Sequence, residues 1–255
     1  MISLKILKKI ILIFTLIFII LSCNKMKNPL VIGHRGAKGH YIENTLGSIK
    51  KALELGVDGI EIDVFRCASG ELVVFHDQMV DSLTDGKGMI ESLSLDSIKK
   101  LSLLGKEKIP TLVEVLDLIN GKVILNIELK GSNTAFLTHQ LLKSYFESSL
   151  WRPEKVFISS FNWDELRAFY QLNKEIKIAI LIEKTDPVNA IEIAKDLNAF
   201  AINSDYTFLN NKNISIIKSK NLMVYAWTVN KFKDIRKMKS LGVDAIISDY
   251  PERVK

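Results

Sequence analysis

The feature that most constrains the fold of this chain is a regular alternation of short apolar runs with amphipathic helical segments. The apolar runs that we predict as strands are Leu30–Gly33, Val57–Phe65, Lys122–Leu129, Lys155–Ser159, Lys177–Ile182, Ala199–Asn203, Leu222–Thr228 and Val243–Ser248. Strands that are joined through helices run parallel. Eight of them in 255 residues predict an α/β protein, and they favour a closed (β/α)8 TIM barrel over an open doubly wound sheet.

The helical segments lie between these strands, with one longer interval. The predicted helices are Thr45–Leu55, Thr134–Ser148, Trp163–Asn173, Pro187–Leu197, Asn211–Lys220 and Lys231–Leu241. The interval between the second and third barrel strands is about twice the usual length, which predicts a small insertion at about 66–121. Inside it we predict a strand at Leu72–Phe75 and short helices at Leu95–Leu104 and Leu112–Leu118. Insertions at this end of a barrel strand cover the catalytic face, so we expect this one to shape the substrate mouth.

The first part of the chain has the pattern of an export signal. Three lysines precede the apolar stretch Ile10–Leu21, which is shorter than the roughly 20 residues that a membrane-spanning helix needs. The stretch ends at a serine and Cys23, which resembles a bacterial lipoprotein cleavage box. We therefore predict a signal peptide at 1–22, lipidation of Cys23, and a tether at 23–28 that anchors an exported protein on the periplasmic or cell-surface side of a membrane. An uncleaved anchor, or an ordinary signal peptide with a disulfide between Cys23 and Cys67, remains the alternative.

The charge of the chain excludes one class of partner. The formal net charge is +6, and residues 1–22 contribute three lysines and no acid, so the remainder carries +3. Its lysines and arginines are spread along helix faces and form no basic run with interleaved aromatic residues. We therefore expect no nucleic-acid partner, and the sequence implies no obligate protein partner.

Acidic side chains gather at the carboxyl ends of two predicted strands. Because side chains alternate along a strand, Glu61 and Asp63 share one face, and Asn126, Glu128 and Lys130 share another. The apolar residues between them would pack under the helices, which turns the acidic sets into the barrel. Two carboxylates about 4 Å apart repel by roughly 4 kcal/mol at an effective dielectric constant of 20, so three imply proton uptake or a bound cation. We favour a cation, and an all-oxygen site selects Ca²⁺, Mg²⁺ or Mn²⁺ over zinc.

Groups suited to phosphate chemistry lie at other strand ends. His34 and Arg35 follow the first strand, and His76 follows the strand in the insertion. Together with the carboxylates they form the set that metal-assisted attack on a phosphate ester requires: oxygen ligands, cations for phosphate oxygens and imidazoles for proton transfer. His40 lies in a predicted loop and His139 on an amphipathic helix, and we expect both at the surface.

Seven short sequence motifs follow one another along nearly the whole of residues 29–255. They are Ile32-Gly33-His34-Arg35-Gly36-Ala37, Glu43-Asn44-Thr45, Gly59-Ile60-Glu61-Ile62-Asp63-Val64, Leu72-Val73-Val74-Phe75-His76-Asp77, Asn126-Ile127-Glu128-Leu129-Lys130, Trp227-Thr228-Val229-Asn230 and Asp244-Ala245-Ile246-Ile247-Ser248-Asp249-Tyr250-Pro251. Together they resemble the signature of the glycerophosphodiester phosphodiesterase family. Several motifs in one order are far more specific than any single one.

The resemblance implies a role for each matching residue. It implies that Glu61, Asp63 and Glu128 bind the divalent cation. It also implies that His34 and His76 form the acid and base pair, with His34 as the base.

Further roles follow from the same resemblance. Arg35 and Lys130 match cations that contact phosphate, Glu43 matches a carboxylate beside the metal or Arg35, and Trp227 matches a wall for the glycerol moiety. Asn44 either belongs to this site or caps the helix that begins at Thr45.

The activity that the resemblance implies is metal-dependent hydrolysis of small glycerophosphodiester substrates to glycerol 3-phosphate and an alcohol. Three carboxylates, a divalent cation, Arg35 and Lys130 carry +1 together, which a diester brings to neutrality. Two alternatives remain. One is a phospholipase D-like enzyme acting on lysolipids or sphingolipids, and the other is a surface-binding lipoprotein without catalysis.

Overall fold

The protein is described here by a computed structural model that covers residues 28–255. The predicted signal peptide, Cys23 and most of the predicted tether lie outside these residues. The strands are β1 Leu30–Gly33, β2 Gly59–Arg66, β3 Leu72–Val74, β4 Ile124–Leu129, β5 Val156–Ser160, β6 Lys177–Ile182, β7 Ala201–Asp205, β8 Met223–Trp227 and β9 Ala245–Ser248. The α-helices are α1 Leu46–Glu54, α2 Leu95–Lys100, α3 Leu112–Ile119, α4 Thr134–Glu147, α5 Trp163–Leu172, α6 Ile191–Asp196, α7 Asn211–Lys218 and α8 Phe232–Leu241.

Eight of the strands form a closed parallel barrel. The order around it is β1-β9-β8-β7-β6-β5-β4-β2, and β2 pairs with β1 to close the ring. Helices follow the strands and pack on the outer face. The prediction of a (β/α)8 TIM barrel is confirmed, and all eight predicted barrel strands are present with ends shifted by a few residues at most.

The ends of two predicted helices differ because local hydrogen bonds compete with the helical ones. The segment predicted as Pro187–Leu197 begins as a 3₁₀ turn at Pro187–Ala190 and becomes α-helical only at Ile191. The helix predicted to reach Leu104 ends at Lys100. There the Lys108 ammonium donates to the carbonyl oxygens of Lys100 and Leu101, which provides partners for groups that a helix end leaves unpaired. The other 3₁₀ turns are Val80–Ser82, Ile90–Ser92, Leu104–Lys106, Pro153–Lys155, Tyr206–Phe208 and Pro251–Arg253.

The insertion between β2 and β4 has a hydrophobic core of its own. Strand β3 pairs antiparallel with the end of β2, with Val64 opposite Val74. The buried side chains of this core are Phe65, Cys67, Val73, Phe75, Val80, Ile90, Ile98, Leu103 and Ile109. Cys67 is 1% exposed, and its thiol donates to the Glu71 carboxylate at 3.2 Å. The insertion therefore stands as a packed unit beside the mouth of the barrel.

The interior of the barrel is divided by polarity. Its amino-terminal half is filled by Ile32, Phe157, Ala179, Ala201, Tyr225, Ala245 and Ile247. Because the strands are parallel, their carboxyl ends meet at the opposite pole, and the buried charged side chains lie there. Among residues 28–255, no helix has the length and apolar character needed to span a membrane.

The two histidines that we predicted at the surface differ in how deeply they are buried. His40 is exposed in the turn after β1, and its Nε2 lies 3.1 Å from Glu252 Oε2. His139 is half-buried, and its ring packs edge-on at 6.3 Å from the Phe169 ring. The surface assignment of His139 was wrong because α5 covers that face of α4.

Candidate active site

Three buried carboxylates meet at the carboxyl ends of β2 and β4. The strand register places Asp63 opposite Glu128, and Glu61 one inward-facing position below Asp63. One carboxylate oxygen from each residue lies within 4.8 Å of those of the other two. All three residues are at most 8% exposed. The alternation along the strands thus places these groups inside the barrel, as expected.

The electrostatics of this carboxylate cluster favour a bound cation. Burial, and then repulsion from Asp63, raises the pKa of Glu128 to about 8. The same two causes, with Glu128 as a further one, raise the pKa of Glu61 well above its ordinary value. The Oδ1 atom of Asp63 is buried and has no hydrogen-bond partner among the described residues. A hard divalent cation would satisfy this oxygen and offset the repulsion, so the residues fit such an ion.

Asn44 supports the carboxylate cluster and does not cap a helix. Its side-chain amide donates to Asp63 Oδ2 at 2.8 Å, and the Asp63 backbone N–H donates to its Oδ1 at 3.3 Å. Asn44 adopts a φ of 58°, a left-handed conformation that asparagine tolerates better than most residues. The helix cap is Thr45, whose hydroxyl accepts the Ser48 N–H, and α1 begins at Leu46. The helix-cap alternative for Asn44 was therefore wrong.

Arg35 bridges the carboxylates. Its backbone N–H donates to Glu61 Oε2 at 2.9 Å. Its guanidinium lies between Asp63, with Nε 3.2 Å from Oδ2, and Glu43, which pairs with NH1. Glu43 also holds the Lys38 ammonium at 2.6 Å. Of the two positions expected for Glu43, the structure shows the one beside Arg35.

His34 is held by a carboxylate from the last strand. Its Nδ1 lies 2.6 Å from Asp249 Oδ1, and the Asn230 amide donates to the other Asp249 oxygen at 2.7 Å. Burial lowers the pKa of His34, although the Asp249 hydrogen bond acts in the opposite direction. We assign the ring proton to Nδ1, because Asp249 is an acceptor. Nε2 is then the free base, 4.0 Å from Glu61 Oε2.

His76 and Lys130 meet on the other side of the carboxylate cluster. The His76 Nδ1 lies 2.6 Å from Asp77 Oδ1, and the Ser82 hydroxyl donates to the second Asp77 oxygen at 2.6 Å. The Lys130 ammonium is 3.2 Å from His76 Nε2 and 3.1 Å from Glu128 Oε1. Both groups therefore face the same space as His34.

These side chains line a cavity of about 470 Å³ at the carboxyl ends of the strands. Seven of the predicted site residues line it: His34, Arg35, Glu61, His76, Glu128, Lys130 and Trp227. Asp63 and Glu43 are not in the lining and contact it through Arg35. Of the lining residues, His76 is the one that belongs to the insertion. We expected the insertion to shape the mouth of the cavity, and His76 is the residue through which it does so.

Several residues of the site were not predicted from the sequence. Asp249 and Asp77 orient the two imidazoles, and both follow predicted strands, so the strand-end pattern that identified Glu61 could have indicated them. Phe161 and Glu183 line the far wall of the cavity. Glu183 comes directly after β6, so the same pattern could have indicated it, whereas Phe161, directly after β5, is apolar and carries no such signal.

Comparisons with known proteins all find similarity to one family of enzymes. A model of the glycerophosphoryl diester phosphodiesterase family matches residues 34–253. The chain is 36% identical over 233 residues to the glycerophosphodiester phosphodiesterase of Caldanaerobacter subterraneus, an alignment that covers 88% of this chain and 95% of that protein. It is 31% identical to that of Bacillus altitudinis, over 88% and 95%. A phosphodiesterase of Oleispira antarctica, solved in complex with the product sn-glycerol-3-phosphate, superposes with a TM-score of 0.82 at 31% identity, over 89% of this chain and 95% of its own.

Proposed function

Because the chain belongs to the glycerophosphoryl diester phosphodiesterase family and is a glycerophosphodiester phosphodiesterase, we propose that it hydrolyses its substrate by metal-assisted catalysis with two histidines. The products are glycerol 3-phosphate and an alcohol. The single observation that carries this proposal is the convergence of His34, His76 and the carboxylate cluster on one cavity. The glycerol 3-phosphate named as product in the Oleispira antarctica structure supports the identity of the product.

The carboxylates of Glu61, Asp63 and Glu128 would hold the cation, which we propose is Ca²⁺ or Mg²⁺, with Mn²⁺ also suited to the oxygen ligands. When bound, the ion supplies positive charge for the non-bridging phosphate oxygens. Arg35 and Lys130 flank the carboxylate cluster and would bind the same phosphate.

His34 is proposed as the general base. Its lowered pKa keeps the imidazole neutral at pH 7, and Asp249 fixes the tautomer that leaves Nε2 free toward the cavity. It would take a proton from the attacking water as the new oxygen–phosphorus bond forms; if the glycerol hydroxyl attacks first, the cyclic phosphate that results is then opened by water.

His76 is proposed as the general acid. The Asp77 carboxylate holds Nδ1 and so directs Nε2 toward the cavity, from which His76 would give a proton to the head-group oxygen as the phosphorus–oxygen bond breaks. Trp227 would pack against the carbon skeleton of the glycerol moiety on the opposite side of the cavity.

The decisive experiment measures glycerol 3-phosphate release from glycerophosphodiesters with Ca²⁺, Mg²⁺ or Mn²⁺, and with EDTA. We expect activity that chelation abolishes. His34→Ala should lower kcat by about 10²- to 10⁴-fold, whereas His40→Ala, at an exposed histidine outside the cavity, should not. Absence of activity with every cation would refute the proposal. Lysolipids in the same assay test the phospholipase D-like alternative, which requires that they turn over faster than deacylated diesters.

The location of the protein is a separate proposal. The sequence before residue 28 supports export and lipidation at Cys23, with the protein anchored in a bacterial membrane. Labelling with radioactive palmitate in the expressing cell tests it: the label should be present in the full chain and absent from Cys23→Ala. Equal labelling of both chains would contradict it.

A further inference from the structure

The wall of the cavity opposite the phosphate-binding groups has a different chemistry. Phe161, Leu181 and Trp227 make it largely apolar. Among the described residues that line the cavity, Glu183 is the one carboxylate outside the carboxylate cluster. Its side chain is 44% exposed, whereas Leu181, two residues earlier on β6, is 5% exposed. Glu183, directly after the strand, therefore stands at the outer rim.

Two aromatic rings form a corner beside this carboxylate. The Phe161 and Trp227 rings meet nearly at right angles, 83°, with centroids 5.5 Å apart. Phe161 is 38% exposed although its ring is large and apolar, and the Lys130 ammonium lies 5.9 Å from its centroid. Aromatic rings of this kind attract cations, and quaternary ammonium groups are commonly bound by several rings together.

The net charge of the complex would also favour a positive group at the rim. With a divalent cation and a bound diester, the three clustered carboxylates, Arg35 and Lys130 sum to zero, and Glu183 then adds one negative charge. Lys184 would compete with the head group for this carboxylate, because its Nζ lies 3.3 Å from Glu183 Oε2. Its side chain is 81% exposed, so water weakens this ion pair without abolishing the competition.

We propose that Glu183 and Phe161 select diesters whose head group carries a positive charge. Amino-alcohol diesters such as glycerophosphocholine would be preferred over uncharged ones such as glycerophosphoglycerol. The inference rests on the proposed function, because the phosphate must sit between Arg35 and Lys130 for the leaving head group to reach the rim. The glycerol moiety then packs deeper, against Trp227, and the ammonium group occupies the outer part of the corner.

The test compares kcat/KM for glycerophosphocholine with kcat/KM for glycerophosphoglycerol. We expect Glu183→Gln to lower this ratio by about three- to fivefold, and Phe161→Leu, which keeps an apolar side chain, to lower it by a similar factor. Lys184→Gln should raise the ratio, because it removes the competing cation. The matched control is Glu175→Gln, which loses the same charge near the opposite end of β6 and should leave the ratio unchanged.

A ratio that Glu183→Gln leaves unchanged, or equal losses on both diesters, would overturn the inference. Calorimetric binding of both diesters to Ca²⁺-loaded His34→Ala, with and without Glu183→Gln, reads the same preference without turnover. Retained preference in binding together with no hydrolysis by the unsubstituted protein would contradict the proposed function alone. Hydrolysis without preference would contradict this inference alone.

Discussion

At the residue scale, the carboxylate cluster depends on side chains that never touch the cavity. Asn44 is 1% exposed and occupies one oxygen of Asp63, which leaves the other oxygen free for a cation. Partners of this kind orient the ligands of a metal, and their loss commonly lowers metal affinity.

Replacement of Asn44 by glycine tests this role. Glycine adopts the φ of 58° without strain, so the change removes the amide and spares the backbone. We expect Ca²⁺ affinity, measured by calorimetry, to fall about 10- to 100-fold. Asn120→Gly is the control, because Asn120 has a similar φ of 47° at the end of α3, away from the site. Equal affinities in the two variants would show that the amide is dispensable.

Asp249→Asn tests the positioning of His34. The variant keeps the size of the side chain but can present its amide to Nδ1, which favours the wrong tautomer, so kcat should fall by about 10²- to 10⁴-fold. Because the Asp249 hydrogen bond raises the pKa of His34 against burial, its loss should also move the acidic limb of the pH–rate profile to lower pH. Asp205→Asn, at the end of β7, is the control. A normal rate in Asp249→Asn would leave Asp249 without a role.

Residue roles could be predicted from the sequence where strand geometry determines them. Glu61, Asp63 and Glu128 follow from alternation on parallel strands, since two-residue spacing turns them to one face. The partnership of His34 with Asp249 spans 215 positions, and it depends on the closure of the barrel between β1 and β9. No local pattern contains that contact.

At the element scale, the insertion supplies one imidazole from a core built almost entirely of its own residues, with Phe65 of β2 as the contribution of the barrel. His76 follows Phe75, whose side chain belongs to the same buried cluster as Ile98 of α2. The carboxylates lie on β2 and β4 instead. Packing of the insertion should therefore affect turnover more than cation binding.

The variant Ile98→Ala separates these effects. Ile98 is fully buried, so the truncation should lower the free energy of unfolding by about 2–4 kcal/mol, measured with urea. We expect a lower kcat and an unchanged Ca²⁺ affinity. Ile216→Ala, at a residue that is 37% exposed, should cost less than about 1 kcal/mol. Loss of Ca²⁺ affinity in Ile98→Ala would mean that the insertion supports the carboxylates as well.

Elements themselves were predictable to different degrees. The barrel strands follow from β-branched apolar runs, because burial on both faces of a parallel sheet requires them. The end of α2 was not predictable, because it depends on the Lys108 ammonium, eight residues beyond the end of the helix. A side chain from a later loop decides the boundary.

At the scale of the whole molecule, stability is linked to pH through the carboxylate cluster. The folded pKa of Glu128 is about 8, and the unfolded value is ordinary, so the metal-free folded state holds an extra proton between about pH 5 and 8. Its free energy of unfolding should therefore fall as pH rises across this window, by about 3–4 kcal/mol.

Urea unfolding in EDTA and in Ca²⁺ at pH 5.5 and pH 8 measures this linkage. Bound Ca²⁺ neutralises the repulsion, so it should stabilise the protein more at pH 8 than at pH 5.5. The variant Glu128→Gln should flatten the pH dependence in EDTA. A metal-free stability that rises between the two pH values would contradict the assignment.

The global architecture was predictable because few folds accommodate eight strands joined by helices. The opposite wall of the cavity was not predicted, although Phe161 and Glu183 directly follow β5 and β6, because a position at a strand end does not by itself show that a side chain faces the cavity. Sequence patterns therefore predicted the carboxylates that lie on strands β2 and β4 but not the opposite wall.

The separate core of the insertion has one further consequence. Since His76 follows a strand of the insertion whereas the carboxylates lie on β2 and β4, we expect moderate heating to loosen the insertion before the barrel. A warmed sample would then still bind a divalent cation at the carboxylate cluster after turnover had ceased. Adaptation to cold or warm habitats could be achieved by changes in a few dozen residues, with the barrel itself left alone.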